Sequence, residues 1–139
     1  MTDLEKAKAR LNGHTLCLCR GDDCITDDAH GVKPMLRLIA SGTALLGYSA
    51  ADIVVGKAAA LLFVKCGITA VYAQTLSESG KYILEVHGIP YEYETLVEKI
   101  LNRAGTDSCP MEKAVWEIND PEKGYTALVE QVKRMQAGK

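Results

Sequence analysis

Gly56-Lys57 stands at the head of an apolar, alanine-rich stretch, Ala58-Ala59-Ala60-Leu61-Leu62. The first turn of a helix carries unpaired backbone N–H groups and the positive end of the macrodipole. A lysine placed there opposes the dipole at a cost of ~0.3–1 kcal/mol when exposed. An anionic ligand that accepts the free amides and the ammonium together offsets that cost. Gly56 and the three alanines let backbone and ligand approach closely. The stretch is not a P-loop, which requires Gly at the position of Ala51 and Ser or Thr at Ala58. The competing reading is that the alanines serve tight helix–sheet packing, while Lys57 pairs with Asp52 or faces solvent.

A second polar cluster follows at Asn102-Arg103-Ala104-Gly105-Thr106-Asp107. Arg103 is a bidentate partner for phosphate or carboxylate, with Asn102, Thr106 and Asp107 as further hydrogen-bonding groups. The same stretch also reads as a capping loop: Ser108 or Asp107 caps, Pro110 starts a helix, and Glu112 suits the positive end. Cys109 sits at that helix start, where the dipole favours thiolate. With His30 or another base near in space it is a nucleophile; otherwise it is a packing or capping cysteine. Cys17, Cys19 and Cys24, with His14 nearby, lack the spacing of a structural zinc site. They read as small hydrophobes in a sheet. No metal is assigned.

These groups belong to a chain of 139 residues and 15.1 kDa, the size of one domain. Hydrophobic residues make up 47% and charged residues 24%, which excludes disordered, collagen-like and membrane-embedded classes. The net charge of −2 gives no electrostatic footprint for nucleic acid or for an anionic membrane. The longest apolar run, Ala58 to Val64, is far short of the ~20 residues that cross a bilayer. Met1 to Leu11 lacks the apolar stretch of a secretory signal. The expectation is a cytoplasmic domain with its five cysteines reduced.

Periodicity supplies the elements that must hold the site. Asp3 to Leu11 reads as a helix, and Thr15 to Arg20 with Cys24 to Thr26 as a hairpin. Asp27-Asp28 offers caps for a helix over Gly31 to Ala40. Asp52 to Val55 is a brief strand, and Gly56 to Cys66 is a helix closed by Gly67. A strand follows from Ile68, then a capping box at Thr75-Leu76-Ser77-Glu78 opens a helix to His87. Ile89 to Glu94 alternates as a strand, with Tyr91 and Tyr93 on one face. Leu96 to Leu101 reads as a short helix, and Pro110 to about Ile118 as another. Asp120-Pro121 starts the last helix, whose stripe is Tyr125, Leu128, Val129 and Val132. Alternating strands and helices predict a single three-layer α/β/α domain with a mixed sheet. Ligands in such sheets bind at the carboxyl ends of strands.

Three stretches together resemble a known family: Gly31-Val32-Lys33-Pro34, Asp52 to Ala60, and Asn102 to Glu112. Their order and spacing resemble a prokaryotic domain of unknown function whose fold is similar to cytidine deaminases. The resemblance covers Leu16 to Trp116. It implies a deaminase-like sheet and carries over no activity. A zinc deaminase needs a His or Cys ligand with a nearby Glu, and a later Pro-Cys-x-x-Cys at a helix start. The chain has no Cys-x-x-Cys, and its corresponding helix begins Gly56-Lys57-Ala58; Gly31-Val32 follows His30 in place of a catalytic Glu. Zinc-dependent deamination is therefore not expected, and no cofactor is assigned. The favoured reading is binding of a small anionic ligand, a nucleotide or phosphorylated metabolite, by Gly56, Lys57, Asn102, Arg103, Thr106, Asp107 and His30. The alternatives are a cysteine-dependent enzyme using Cys109, and a non-catalytic module that forms a homo-oligomer through the strand bearing Tyr91 and Tyr93.

Overall fold

The computed structural model describes residues 1–138. Its strands are β1 (Leu16–Arg20), β2 (Asp23–Asp27), β3 (Ser49–Val55), β4 (Ala70–Ser77) and β5 (Tyr91–Val97). Its helices are α1 (Asp3–Arg10), α2 (Lys33–Ala40), α3 (Lys57–Cys66), α4 (Glu78–Val86), α5 (Pro110–Ala114) and α6 (Pro121–Ala137). The strands form one mixed sheet in the order β2-β1-β3-β4-β5. β1 pairs antiparallel with both β2 and β3, while β3–β4 and β4–β5 are parallel. Two antiparallel steps leave β2 running in the same sense as β3. The carboxyl ends of β2, β3, β4 and β5 therefore share one edge of the sheet, and α3 and α4 start there.

The sheet is covered on both faces. The larger core lies on one side and joins Phe63, Leu61, Leu62, Leu76, Ile83, Leu84, Val115 and Leu128. α3 is apolar on nearly every side because the sheet, α4 and α6 enclose it, and Lys57 through Phe63 are all buried. α6 packs closely on it: a Cβ at Gly124 would lie 2.9 Å from Leu61 Cδ1. On the opposite face α1 alone covers a smaller core of Ala7, Leu11, Cys17, Cys19, Ala51 and Tyr72. The fold is thus a three-layer-like α/β domain, with its second helical layer reduced to one helix.

Several expectations are corrected. β3 begins at Ser49, not Asp52; Ser49-Ala50-Ala51 has little intrinsic strand preference, but pairing on both sides by β1 and β4 decides it. The capping box at Thr75 does not form. Thr75 stays in β4 opposite Thr95, and Ser77 caps α4 by accepting the Gly80 amide. Leu96 and Val97 complete β5 in place of a helix, and Leu101 makes an isolated bridge to Ser108. Asp27 and Asp28 do not cap α2, whose N-cap is Val32 with no side-chain bond. α5 ends at Ala114, short of Ile118. The thiols are not all free, since Cys19 and Cys24 are joined in a disulfide.

Candidate functional site

The entry to α3 is a buried polar arrangement at the carboxyl edge of the sheet. Gly56 caps the helix with no side chain to offer, so the first amides need an outside acceptor. They receive one from α5. Glu112 accepts from the Lys57 amide through Oε1 and from the Ala58 amide through Oε2, each at 2.8 Å. Gly56 makes this possible, because a Cβ there would lie 2.2 Å from Glu112 Oε1. Gly80, in the first turn of α4, also passes closely over the same backbone: its Cβ would meet Gly56 O and Val55 O at 3.0 Å. Two glycines therefore let α4 and α5 converge on the start of α3.

The Lys57 side chain neither pairs with Asp52 nor faces solvent. It is buried, and Nζ donates to the Trp116 carbonyl at 3.0 Å. Burial lowers its pKa, and the Glu112 charge opposes that effect. Burial raises the Glu112 carboxyl, against the pull of the Ala58 and Lys57 amides and the Lys57 charge. Both shifts arise from desolvation of opposite charges held close together. A pocket of ≈ 130 Å³ opens beside them, lined by Lys57, Ser79, Glu98, Lys99, Ile100, Ser108, Glu112 and Trp116. A larger surface groove of ≈ 420 Å³ is bounded only by Glu122, Lys123, Thr126, Ala127 and Glu130 of α6. Walls from one helix make it an outer surface, not an enclosure.

The predicted residues are distributed as follows. Gly56 and Lys57 build the cradle. Asn102, Arg103, Thr106 and Asp107 do not line the pocket, but the stems of their loop do, through Ile100 and Ser108. The loop closes on itself. Asn102 donates to Thr106 Oγ1 and accepts the Thr106 amide, while Asp107 accepts the Ser108 amide and pairs with Lys113. Arg103 is exposed on its tip. His30 is exposed beyond β2, the edge strand two positions from β3, and does not reach the pocket. Cys109 is part-buried as the N-cap of α5, and its amide donates to the Ile100 carbonyl. Among the described residues no group of three His, Cys, Asp or Glu is placed to hold a metal ion.

Sequence reasoning missed Ser79, Lys99 and the long-range role of Glu112 at α3. Glu112 reads as a partner for its own helix dipole; in the fold it serves another helix, 54 residues away at Ala58. Gly80 was the available signal. A glycine inside a helical pattern costs ~1 kcal/mol against alanine, which points to a close approach.

A family model described as TM1506, a domain of unknown function (DUF1893), matches residues 6–132. The chain belongs to the DUF1893 family. A solved DUF1893 family protein of Thermotoga maritima, TM1506, is similar with a TM-score of 0.84. The two chains are 24% identical, over 94% of this chain and 91% of that one. At that identity the likeness carries the α/β fold of DUF1893 and no residue roles. No curated protein matches. No helix of the described residues is long and apolar enough to cross a membrane.

Proposed function

We propose that the domain binds a small anionic group at the carboxyl ends of β3, β4 and β5. One observation carries this reading: the start of α3 already holds a carboxylate, that of Glu112, on two backbone amides at 2.8 Å each. Helix starts of this kind hold phosphate or carboxylate; with both amides engaged by Glu112, the ligand lies in the adjoining pocket. Beside it lie the cations Lys57 and Lys99 and the hydroxyls of Ser79 and Ser108. Arg103, on the loop that springs from Ile100 and Ser108, supplies a rim cation. The volume narrows the ligand class. About 130 Å³ is a small cavity. Drug-sized ligands need ~300–1,000 Å³. The enclosed part therefore takes a phosphoryl group or a compact carboxylate, and the remainder of a nucleotide or metabolite stays outside.

We read the scaffold as cytidine-deaminase-like, with a glycine-led anion cradle where a deaminase carries metal-binding thiolates. The hairpin–helix–strand–helix order supports the likeness, and Gly56-Lys57-Ala58 at the head of α3 supports the exchange. Thermal unfolding of the full chain with inorganic phosphate, a nucleoside monophosphate and small carboxylates tests the binding. The expected result is a concentration-dependent rise in Tm. The rise shrinks in Lys99→Ala and Arg103→Ala and vanishes in Lys57→Ala. A wild-type Tm indifferent to every anion ends the proposal.

A second reading, self-association, rests on β5. It is an edge strand of seven residues with Tyr93 exposed and stacked at 6.2 Å on Tyr91. Light scattering on wild type and Tyr93→Glu separates a dimer from a monomer. The cysteine-dependent alternative has less support, since His30 and Cys109 belong to different parts of the carboxyl edge. Alkylation of Cys109 well ahead of the other thiols would revive it.

A further inference from the structure

Three sulfur atoms lie together beneath α1. Cys17 and Cys19 project from β1 into the smaller core, and Cys24 stands directly opposite Cys19 across the hairpin. Cys19 and Cys24 are bonded, with their Cα atoms 4.2 Å apart, and Cys17 Sγ lies 3.7 Å from Cys19 Sγ. We propose that Cys19 and Cys24 form a reversible dithiol–disulfide site that exchanges with low-molecular-weight thiols and disulfides, with Cys24 as the sulfur that meets the small molecule.

The hairpin does not rest on this bond alone. It links residues only five apart in the chain. A loop that short constrains the unfolded chain less than a long one does. The ladder on either side, Leu18 with Ile25 and Arg20 with Asp23, holds the same strands without it. Opening it therefore leaves the hairpin paired. Access is one-sided. Cys17 and Cys19 are fully buried, whereas Cys24 is part-exposed on the outer strand. Burial also pushes the Cys17 thiol up, so it stays protonated and does not compete as a nucleophile.

The exchange balances without any further oxidant or reductant. A small-molecule thiolate attacks Cys24 Sγ and forms a mixed disulfide. The Cys19–Cys24 bond breaks, and its electron pair leaves on Cys19 Sγ, which takes up a proton. A second thiolate attacks the small-molecule sulfur of the mixed disulfide. It releases the symmetrical small-molecule disulfide and the Cys24 thiolate. Two external thiols are oxidised and one protein disulfide is reduced; the reverse sequence oxidises the protein. The hairpin turn also carries α1, because Asp3 Oδ1 accepts the Gly21 amide and Lys6 Nζ donates to the Gly21 carbonyl. A change in sulfur spacing is felt first by this helix.

The test equilibrates the full chain in buffers of varied reduced-to-oxidised glutathione ratio, followed by acid quench, alkylation and peptide mass mapping. Cys19 and Cys24 are expected to gain and lose labels together in one two-electron step, with Cys17 unchanged. Cys19→Ser, which lacks the resolving sulfur, is expected to retain one glutathione on Cys24, and Cys24→Ser to retain none. A bond that survives every glutathione ratio until the chain is unfolded overturns the proposal. So do two thiols that stay free in excess oxidised glutathione. If Cys19→Ser does not fold, the wild-type titration decides alone.

Discussion

Glu112 closes the start of α3 by accepting the Lys57 amide at 2.8 Å, across 55 residues of chain. The contact joins the buried centre of the domain to a five-residue helix that has little packing of its own. Its geometry is that of a bound anion. A carboxylate that is part of the chain thus satisfies the first two amides of α3.

Removing that carboxylate leaves two buried donors without a partner. Each such donor costs ~1–3 kcal/mol. Glu112→Ala is expected to lower unfolding free energy by about 2–4 kcal/mol in urea titrations. Glu112→Gln keeps one acceptor and turns an amide donor toward the other N–H, so its loss falls between. Added acetate or phosphate is expected to recover part of the Ala variant's loss, over and above any rise it gives the wild type. Full stability of the Ala variant would show that the cradle contributes nothing.

Gly56 faces a harder steric limit. An added Cβ collides with the Glu112 carboxylate at 2.2 Å. Overpacking of this size costs ~1–3 kcal/mol. Gly56→Ala is expected to lose at least that, with the loss largely absent when it is introduced into Glu112→Ala. A double-mutant cycle measured by urea denaturation checks the coupling.

Asp52 is a buried carboxyl on β3, and burial raises its pKa from 3.8 to about 7, against weaker pulls from the Val54 and Ile53 amides. A raised carboxyl favours the folded state while protonated. Its contribution is full below the unfolded value and is lost as pH climbs toward about 7. At ~1.36 kcal/mol per unit, the upper bound on this loss is ~4 kcal/mol. Urea midpoints of the wild type are expected to fall between pH 4 and 7. Asp52→Asn is expected to flatten that slope and to exceed the wild type at pH 7. An unchanged slope in the variant removes Asp52 as its cause.

β5 leaves one row of backbone groups unpaired at the end of the sheet. Glu92 and Glu94 are exposed on it, and charges of one sign discourage a second strand from docking. Replacing both with Thr is expected to raise self-association in light scattering and to change stability by less than ~1 kcal/mol. The Lys8–Glu92 pair at 2.9 Å is a surface contact of small worth. A variant that stays at wild-type size shows that these charges do not guard the edge.

The strand–helix alternation was legible because each helix has a terminator of known chemistry, such as Gly67 at φ +75° after α3 and Asp120-Pro121 before α6. Ser49-Ala50-Ala51 was illegible because small residues carry no strand signal until two neighbours pair with them. Leu96 and Val97 misled because a short apolar run fits either period. That the start of α3 needs an acceptor from outside its own turn was legible from Gly56-Lys57 alone. Its partner was not, since nothing near Lys57 in sequence points to a residue that far along the chain.

The long reach of Glu112 also has a temporal side. During synthesis α3 is made before residue 112 exists, so the central helix waits with its first amides hydrated. A chain cut before α5 would keep every strand and still lack the group that finishes its middle helix, which makes the segment from Pro110 onward a closing step for what precedes it.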